Sequence, residues 1–374
     1  MTAARNPAPD TIVVGSAHAR SGQIVYGAFD AVELPSGGTD QFPVIIAQGT
    51  LPGPVLWITA SIHGAEYTGM AVAHQLITPE LVSRMRGTLV VIPTLNPAGL
   101  RTGQRSPYYA NGQDPNRLFP APPITFKPGP ADPPASPLEL AYKRLFTVIS
   151  STASALIDLH NFSIGALPFA FRDPLFYRDS RERAAMQKLQ ETTGTLLAAF
   201  GHTVVNEFVS AEYLRKNLHR SVSGATFNSA HIPSFTVELG GYMSIDLTIV
   251  QAALAGIRNV MRVMGLLSDA PEPISGIRVL NPGFPVRRMM HPYAPQSGIV
   301  QYLVKSGDTV AIGTPLLRLV DIYGRPLGVD SGYIYSDYDG YVLGLSVGAV
   351  CYQNDPLISL LVRDDTELVL PYPI

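Results

Sequence analysis

The chain has 374 residues, 46% of them apolar and only 15% charged, with a formal net charge of −2. This length exceeds what one hydrophobic core usually supports, so two domains are expected. The near-neutral balance supplies no field that would draw nucleic acid or an anionic membrane, and neither is expected as a partner.

The first ten residues, MTAARNPAPD, lack the apolar core of a secretion signal. No uncharged apolar stretch approaches the ~20 residues of a membrane helix. The expected address is the cytoplasm. The single cysteine, Cys351, excludes an internal disulfide framework and a cysteine-based zinc site, so any metal must be held by His, Asp or Glu.

Residues 11–50 alternate apolar and polar positions around Gly37-Gly38, which fits two or three short strands. A grammar then repeats: an apolar run of strand length ends in polar residues, often followed by a helix-like stretch. The runs are 55–60, leading through His63 and Glu66 to a helical 70–77; 88–92, leading to Asn96-Pro97; 155–159, ending at His160; and 235–237, ending at Glu238. Runs buried on both faces imply a mixed, largely parallel sheet flanked by helices. Ligands collect outside the carboxyl ends of such strands, where these His and Glu residues stand.

Residues 118–137 are rich in proline and read as a surface loop rather than an active-site lid. Residues 246–267 read as one amphipathic helix, with Ile249, Ala253, Ile257, Val260 and Met264 near one face. It closes a first domain at about residue 270, and 269–276 (DAPEPISG) reads as a linker. Beyond it, short alternating runs split by glycine turns imply an all-β domain, 271–374. Its halves rhyme: 293–305 (YAPQSGIVQYLVK) resembles 335–347 (YSDYDGYVLGLSV). A biotinyl/lipoyl-like β-sandwich fits. A carrier domain would show a lysine at its exposed hairpin, and the matching tip at 335–340 has none. Lys305 reads as a surface residue, and Tyr333, Tyr335, Tyr338 and Tyr341 as packing and surface of this module.

Zinc in hydrolases commonly takes three protein ligands, and two histidines with a glutamate are one such set. His63 and Glu66 lie three apart at a strand-to-helix turn and can face one point, while His160 ends another strand. All three offer donors suited to zinc. His-Gly-x-Glu alone is a weak pattern, and His63 by itself could be a polar turn residue. Asp158, two before His160, points to the same side of a strand. It fits either a partner for a ligand histidine or a satisfied buried aspartate. Glu238 ends an apolar run, where a carboxylate is costly unless paired or functional. Near a metal it can act as general base and then general acid. Arg101, Arg105, Asp114, Asn116 and Arg117 share one Gly/Pro-rich stretch, 96–120. Adjacent Asn and Arg can grip a carboxylate, and a separate Arg can stabilise an oxyanion. The plainer alternative is a solvated basic loop. The remaining histidines show no paired ligand spacing.

Taken in order, IHGAE at 62–66, NP at 96–97, DPNRLFP at 114–120, DLH at 158–160 and VELGG at 237–241 resemble the succinylglutamate desuccinylase/aspartoacylase family, a branch of the zinc carboxypeptidase-like hydrolases. The resemblance runs from about residue 55 to the end. It implies one zinc per chain on His63, Glu66 and His160, with Glu238 as the catalytic glutamate and Asn116 and Arg117 as the grip on the substrate's carboxylate. Arg105 is the expected carbonyl-polarising arginine, with Arg101 as the alternative. Pro115 stands where the family more usually has leucine.

The activity implied is hydrolysis of the amide of a small N-acyl amino acid. A carboxypeptidase acting on small peptides would use the same parts. An inactive binding protein of the same fold would have lost a ligand or the glutamate, and neither is lost here. Phe162, Phe169, Phe171 and Tyr242 are expected to line an apolar acyl pocket. Low charge with a large apolar fraction is compatible with a homo-oligomer.

Overall fold

The computed structural model describes residues 12–121, 134–346 and 348–373. The expectation for the proline-rich stretch falls mostly on 122–133, outside the described residues.

The described residues open with four strands: β1 (Ile12–Val14), β2 (Ala17–Ala19), β3 (Ile24–Glu33) and β4 (Thr39–Gln48). The last two are ten residues each, longer than the sequence pattern implied, because β3 and β4 form a full antiparallel hairpin at the sheet edge. Then follow β5 (Leu51–Ala60), α1 (Thr68–Leu76), α2 (Pro79–Arg84), β6 (Arg86–Ile92), α3 (Pro97–Thr102) and α4 (Pro137–Thr152). Next come β7 (Ala155–Phe162), β8 (Phe169–Arg172), β9 (Leu175–Tyr177), α5 (Arg183–Phe200) and β10 (Thr203–Asn206). The helices α6 (Ser210–Arg215) and α7 (Val222–Asn228) lead to β11 (Ser234–Gly241) and α8 (Leu247–Val263).

The helix starts follow from side-chain caps. Ser136 and Glu139 form a capping box at α4, with Pro137 at its first position. Asn96 caps α3, again followed by proline, and Asp246 caps α8. The α8 helix stops at Val263, short of the expected 267, in a turn ending at Gly265, which has a left-handed φ of 80°.

At the centre of the sheet β11, β7, β5 and β6 are parallel neighbours, and antiparallel pairs flank them on both sides. One apolar core lies on each face. The first gathers α1, α5 and α8 around Ile58, Leu159 and Val237. The second gathers α4 and α7 around Trp57, Ile92 and Tyr142. With apolar layers on both faces, the polar ends of the central strands are the natural place for a site.

The C-terminal part contains β12 (Val286–Met290), β13 (Gly298–Tyr302), β14 (Thr309–Val310), β15 (Pro315–Val320), β16 (Tyr333–Tyr335), β17 (Gly340–Leu345), β18 (Val350–Cys351), β19 (Ile358–Arg363) and β20 (Val369–Pro371). The rhyme read in the sequence is structural. β13, β14 and β15 are followed at near-constant spacing by β17, β18 and β19. Pairing is exchanged between the halves: β13 pairs β15 and β18, while β17 pairs β19 and β14.

These strands have an apolar core of their own, around Val300, Leu317 and Leu360, and one of their sheets is joined to the preceding one. β12 pairs in parallel with β10 through Asn206 and Arg287, so the first sheet and one C-terminal sheet run together as twelve strands. Phe169, Phe171, Val205, Val286, Leu343 and Leu361 pack across the seam. Residues 269–276 are no loose linker, since Arg258 and Arg262 of α8 hold Glu272. Among the described residues no helix is long and apolar enough to cross a membrane.

Candidate functional site

β5 is followed by a fully buried Ser61 whose φ of 47° is unusual for a residue with a side chain. Its hydroxyl donates to the Glu66 carbonyl at 2.6 Å, closing the turn that carries His63 and Glu66. Such strain persists where the surroundings fix it, often at functional sites. Asn96 is the clasp beneath. Its Nδ2 donates to the carbonyls of Ile62 and Arg105, both at 3.0 Å, and its Oδ1 accepts from Gly99 N–H. The Asn-Pro motif therefore ties the His63–Glu66 turn to the arginine loop.

His63, Glu66 and His160 come together, all buried, with potential ligand atoms within 4.8 Å of one another. The ring orientations are informative. His63 Nδ1 lies 2.7 Å from Glu66 Oε1, and His160 Nδ1 lies 2.9 Å from Glu66 Oε2. The outer nitrogens both face carboxylates: His63 Nε2 is 3.0 Å from Asp114, and His160 Nε2 is 2.7 Å from Asp158. A carboxylate behind each ring can hold a proton on Nε2 and leaves Nδ1 facing inward, able to ligate once its own proton is displaced, the arrangement typical of metal-bound histidines. Two inward imidazoles and one carboxylate are a fitting donor set for zinc. Of the two readings open for Asp158, the structure shows the histidine partner; Thr59 donates to its other oxygen at 2.7 Å.

The electrostatics agree. Burial acts to raise the Glu66 carboxyl, but His63 and His160 outweigh it and hold it well below the usual range. Burial acts to lower His160, and the carboxylates of Asp158 and Glu66 outweigh that and raise it well above its ordinary value. A metal ion entering here displaces a proton from that imidazole, so metal affinity falls as pH drops.

Glu238 on β11 is in register with His160 on β7. It is buried, and its Oε2 has no hydrogen-bond partner among the described residues. An orphaned buried carboxylate oxygen is expensive and calls for an explanation. Burial pushes this carboxyl up to about 7; the His160 charge opposes the rise and the Glu66 charge adds to it.

The cavity above these groups has a volume of about 470 Å³. Arg105 lines it, with Nη2 on Asp114 at 2.9 Å and Nη1 at 3.7 Å from Glu66. Asn116 and Arg117 also line it. Asn116 is held by Val222 N–H on its Oδ1 at 2.9 Å. Arg117 spends two donors on the carbonyls of Lys216 and Asn116.

Arg101 is placed elsewhere. It is 57% exposed, pairs with Asp40 at 2.8 Å and does not line the cavity. The α3 helix turns it toward β4, so the expected substrate role finds no support. Of the expected apolar residues, Phe162, Phe171 and Tyr242 line the cavity, whereas Phe169 lies fully buried with its ring against both phenylalanines.

Two residues with clear roles were given none by the sequence reading. Asp114 contacts His63 and Arg105 and caps its own turn by accepting Asn116 N–H. Its signals were its place at the head of DPNRLFP and among the arginines of 96–120, neither of which says what it touches. Asn161 donates its N–H to Glu66 Oε2 at 3.1 Å and clamps the β11 end through the carbonyls of Leu239 and Gly241. Its place directly after His160 was the available hint.

With this geometry established, comparison with known proteins is direct. A sequence model described as the succinylglutamate desuccinylase/aspartoacylase catalytic domain matches residues 52–264. No curated protein matches the chain. Among solved structures, the succinylglutamate desuccinylase/aspartoacylase from Rhodobacter sphaeroides is 20% identical over 92% of this chain and 96% of its own, with a TM-score of 0.69. The product-bound ectoine utilization protein EutE (DoeB) from Ruegeria pomeroyi is 18% identical over 96% and 98%, with a TM-score of 0.68. An aspartoacylase family protein from Mesorhizobium loti is 18% identical over 96% and 100%, with a TM-score of 0.67. At such identities these likenesses establish the fold.

Proposed function

The chain belongs to the succinylglutamate desuccinylase/aspartoacylase family of hydrolases, and from that premise we propose that it is a zinc-dependent amidohydrolase releasing a free amino acid from a small N-acyl amino acid. The observation that carries this reading is the pair of inward Nδ1 atoms, each backed by a carboxylate, beside the unpartnered Glu238.

His63, Glu66 and His160 would hold the zinc, which when bound supplies Lewis acidity to the amide carbonyl and to the attacking water. Glu238 takes the proton of that water and returns it to the departing amine. Arg105, aimed into the cavity beside Glu66, stabilises the developing oxyanion. Asn116 and Arg117 form the adjoining wall that meets the substrate. The Arg101 alternative is set aside because its guanidinium is on Asp40.

Small substrates are favoured over peptides. From the C-terminal strands, Arg288 of β12 lines the cavity. The loop after Phe162 and Ser163, which line the cavity, is held to β17: Leu167 N–H donates to the Leu343 carbonyl and Ile164 bridges to Leu345. A space of about 470 Å³ suits a small molecule.

The test is a mixed pool of N-acyl amino acids with varied acyl groups, together with short peptides, followed by mass spectrometry with and without a zinc chelator. Chelator-sensitive loss of one N-acyl class is expected. Trimming of peptide C-termini would move the protein to the carboxypeptidase reading.

A further inference from the structure

The seam between β10 and β12 sets two adjacent arginines on opposite faces of a strand. Arg287 is structural. Its guanidinium donates to the Glu207 carbonyl, to Asp364 at 2.6 Å and to Thr366. Arg288 projects to the other face and lines the cavity, its side chain 11% exposed. The guanidinium carbon lies 4.2 Å from the Phe208 ring centre, 4.5 Å from Phe171 and 5.7 Å from Phe162. Nη2 donates to Glu207 Oε1 at 2.5 Å, and Glu207 is itself pinned by Phe208 N–H. The Nε–H is buried and meets no acceptor among the described residues, and neither does Nη1.

A stacked guanidinium keeps its charge and offers only donors, in a planar fork that matches a carboxylate. Arg117, the sequence-level choice for that role, already has Nε on Lys216 O at 2.8 Å and Nη1 on Asn116 O at 2.6 Å. Its Nη2 stands 3.8 Å from Asp114.

We propose that Arg288 recognises the substrate's free carboxylate, so that the carboxylate end of the substrate lies against β12 and the scissile amide against Glu238. This rests on the hydrolase reading and names the residue that sets its substrate class. The neighbouring acid does not oppose it. Asp173 lines the same wall and accepts from Tyr213 O–H at 2.9 Å. Burial, then the Glu207 charge, pushes its carboxyl up to about 7, so below that pH it meets an incoming anion mostly as the neutral acid. Glu207 is neutralised by Arg288 itself.

The test is equilibrium binding to the metal-loaded Glu238→Gln protein, using N-acetyl-, N-succinyl- and N-benzoylglycine and the primary amide of each. The carboxylate of at least one pair is expected to bind about 10²-fold tighter than its amide, the size of a charge-assisted contact. Adding R288Q should shrink that preference to within about threefold by loss of the fork. R288K should retain about tenfold, since an ammonium keeps the charge without the fork, and R117Q should leave the preference in place. No preference in any pair, a preference that survives R288Q, or one lost with R117Q instead would each overturn the proposal. An Arg288-dependent preference alongside wild-type protein that hydrolyses none of the three N-acyl glycines would uphold it and count against the hydrolase reading.

Discussion

Glu238→Gln is expected to lower kcat/KM by about 10³-fold, within the range of general acid–base contributions, while one zinc per chain stays bound. That factor corresponds to about 4 kcal/mol of transition-state stabilisation. The carboxylate is buried on β11 beside His160 but is not one of the three clustered donors. The amide keeps its size and its place in the strand, so His63, Glu66 and His160 have no reason to move. What is lost is the proton acceptor.

The pH profile separates this loss from a packing effect. A base must be ionised to act, so wild-type activity falls as pH drops through the Glu238 value, which burial sets near 7. A divalent cation alongside would oppose that rise, which places the acidic limb at or below about 7. The glutamine variant should lose that limb. Metal content by elemental analysis and kcat/KM across pH 5–9 decide the matter, and near-normal turnover by the variant would remove Glu238 from the mechanism.

Gly64→Ala is expected to cost about 3 kcal/mol of stability, the upper part of the usual overpacking range, and to weaken zinc binding at the same time. An added Cβ would stand 2.1 Å from the Gly99 carbonyl carbon, 2.4 Å from Leu100 N and 2.6 Å from Gln104 O. All three are backbone atoms of α3 and its exit, so no side chain can swing aside. Either α3 shifts, breaking the Asn96 clasp on Ile62 and Arg105, or the His63 turn shifts and its Nδ1 leaves the cluster. The glycine between His63 and Glu66 is thus required by the approach of a neighbouring helix, not by its own φ. Denaturant unfolding with and without zinc should show both losses together. A variant as stable and as tightly metallated as wild type would mean the contact is not rigid.

Much of this was legible in the residues. Apolar runs ending in His, Asn or Glu marked the central strands, and strand ends are where a parallel sheet gathers its site. His63, Glu66 and His160 were singled out as candidate donors by their places at strand ends, and the fold brings them together. Asp114 was less legible because its role depends on a turn that carries it beneath His63, more than fifty positions earlier in the chain. Arg101 was misleading for a related reason: the α3 helix rotates it onto Asp40, and composition cannot show which way a helix turns a side chain.

Arg288 lay beyond the expected linker, in a segment read as an independent β domain. Its place in the cavity follows only from the parallel pairing of β12 with β10. The period-two alternation of a strand puts Arg287 and Arg288 on opposite faces, but which one meets the cavity is decided by partners far away in sequence. The internal rhyme of 293–305 with 335–347 was visible because both copies repeat the same turn chemistry. The exchange of strands between the two halves was not.

The most direct test of the central claim is a zinc titration of metal-stripped protein, with bound metal and hydrolysis of its best N-acyl amino acid followed together. Both should rise and level off at one equivalent per chain, and His160→Ala should show neither rise. Activity that resists stripping, or a His160→Ala protein that still binds one zinc and turns over normally, would contradict the assignment of the metal to His63, Glu66 and His160.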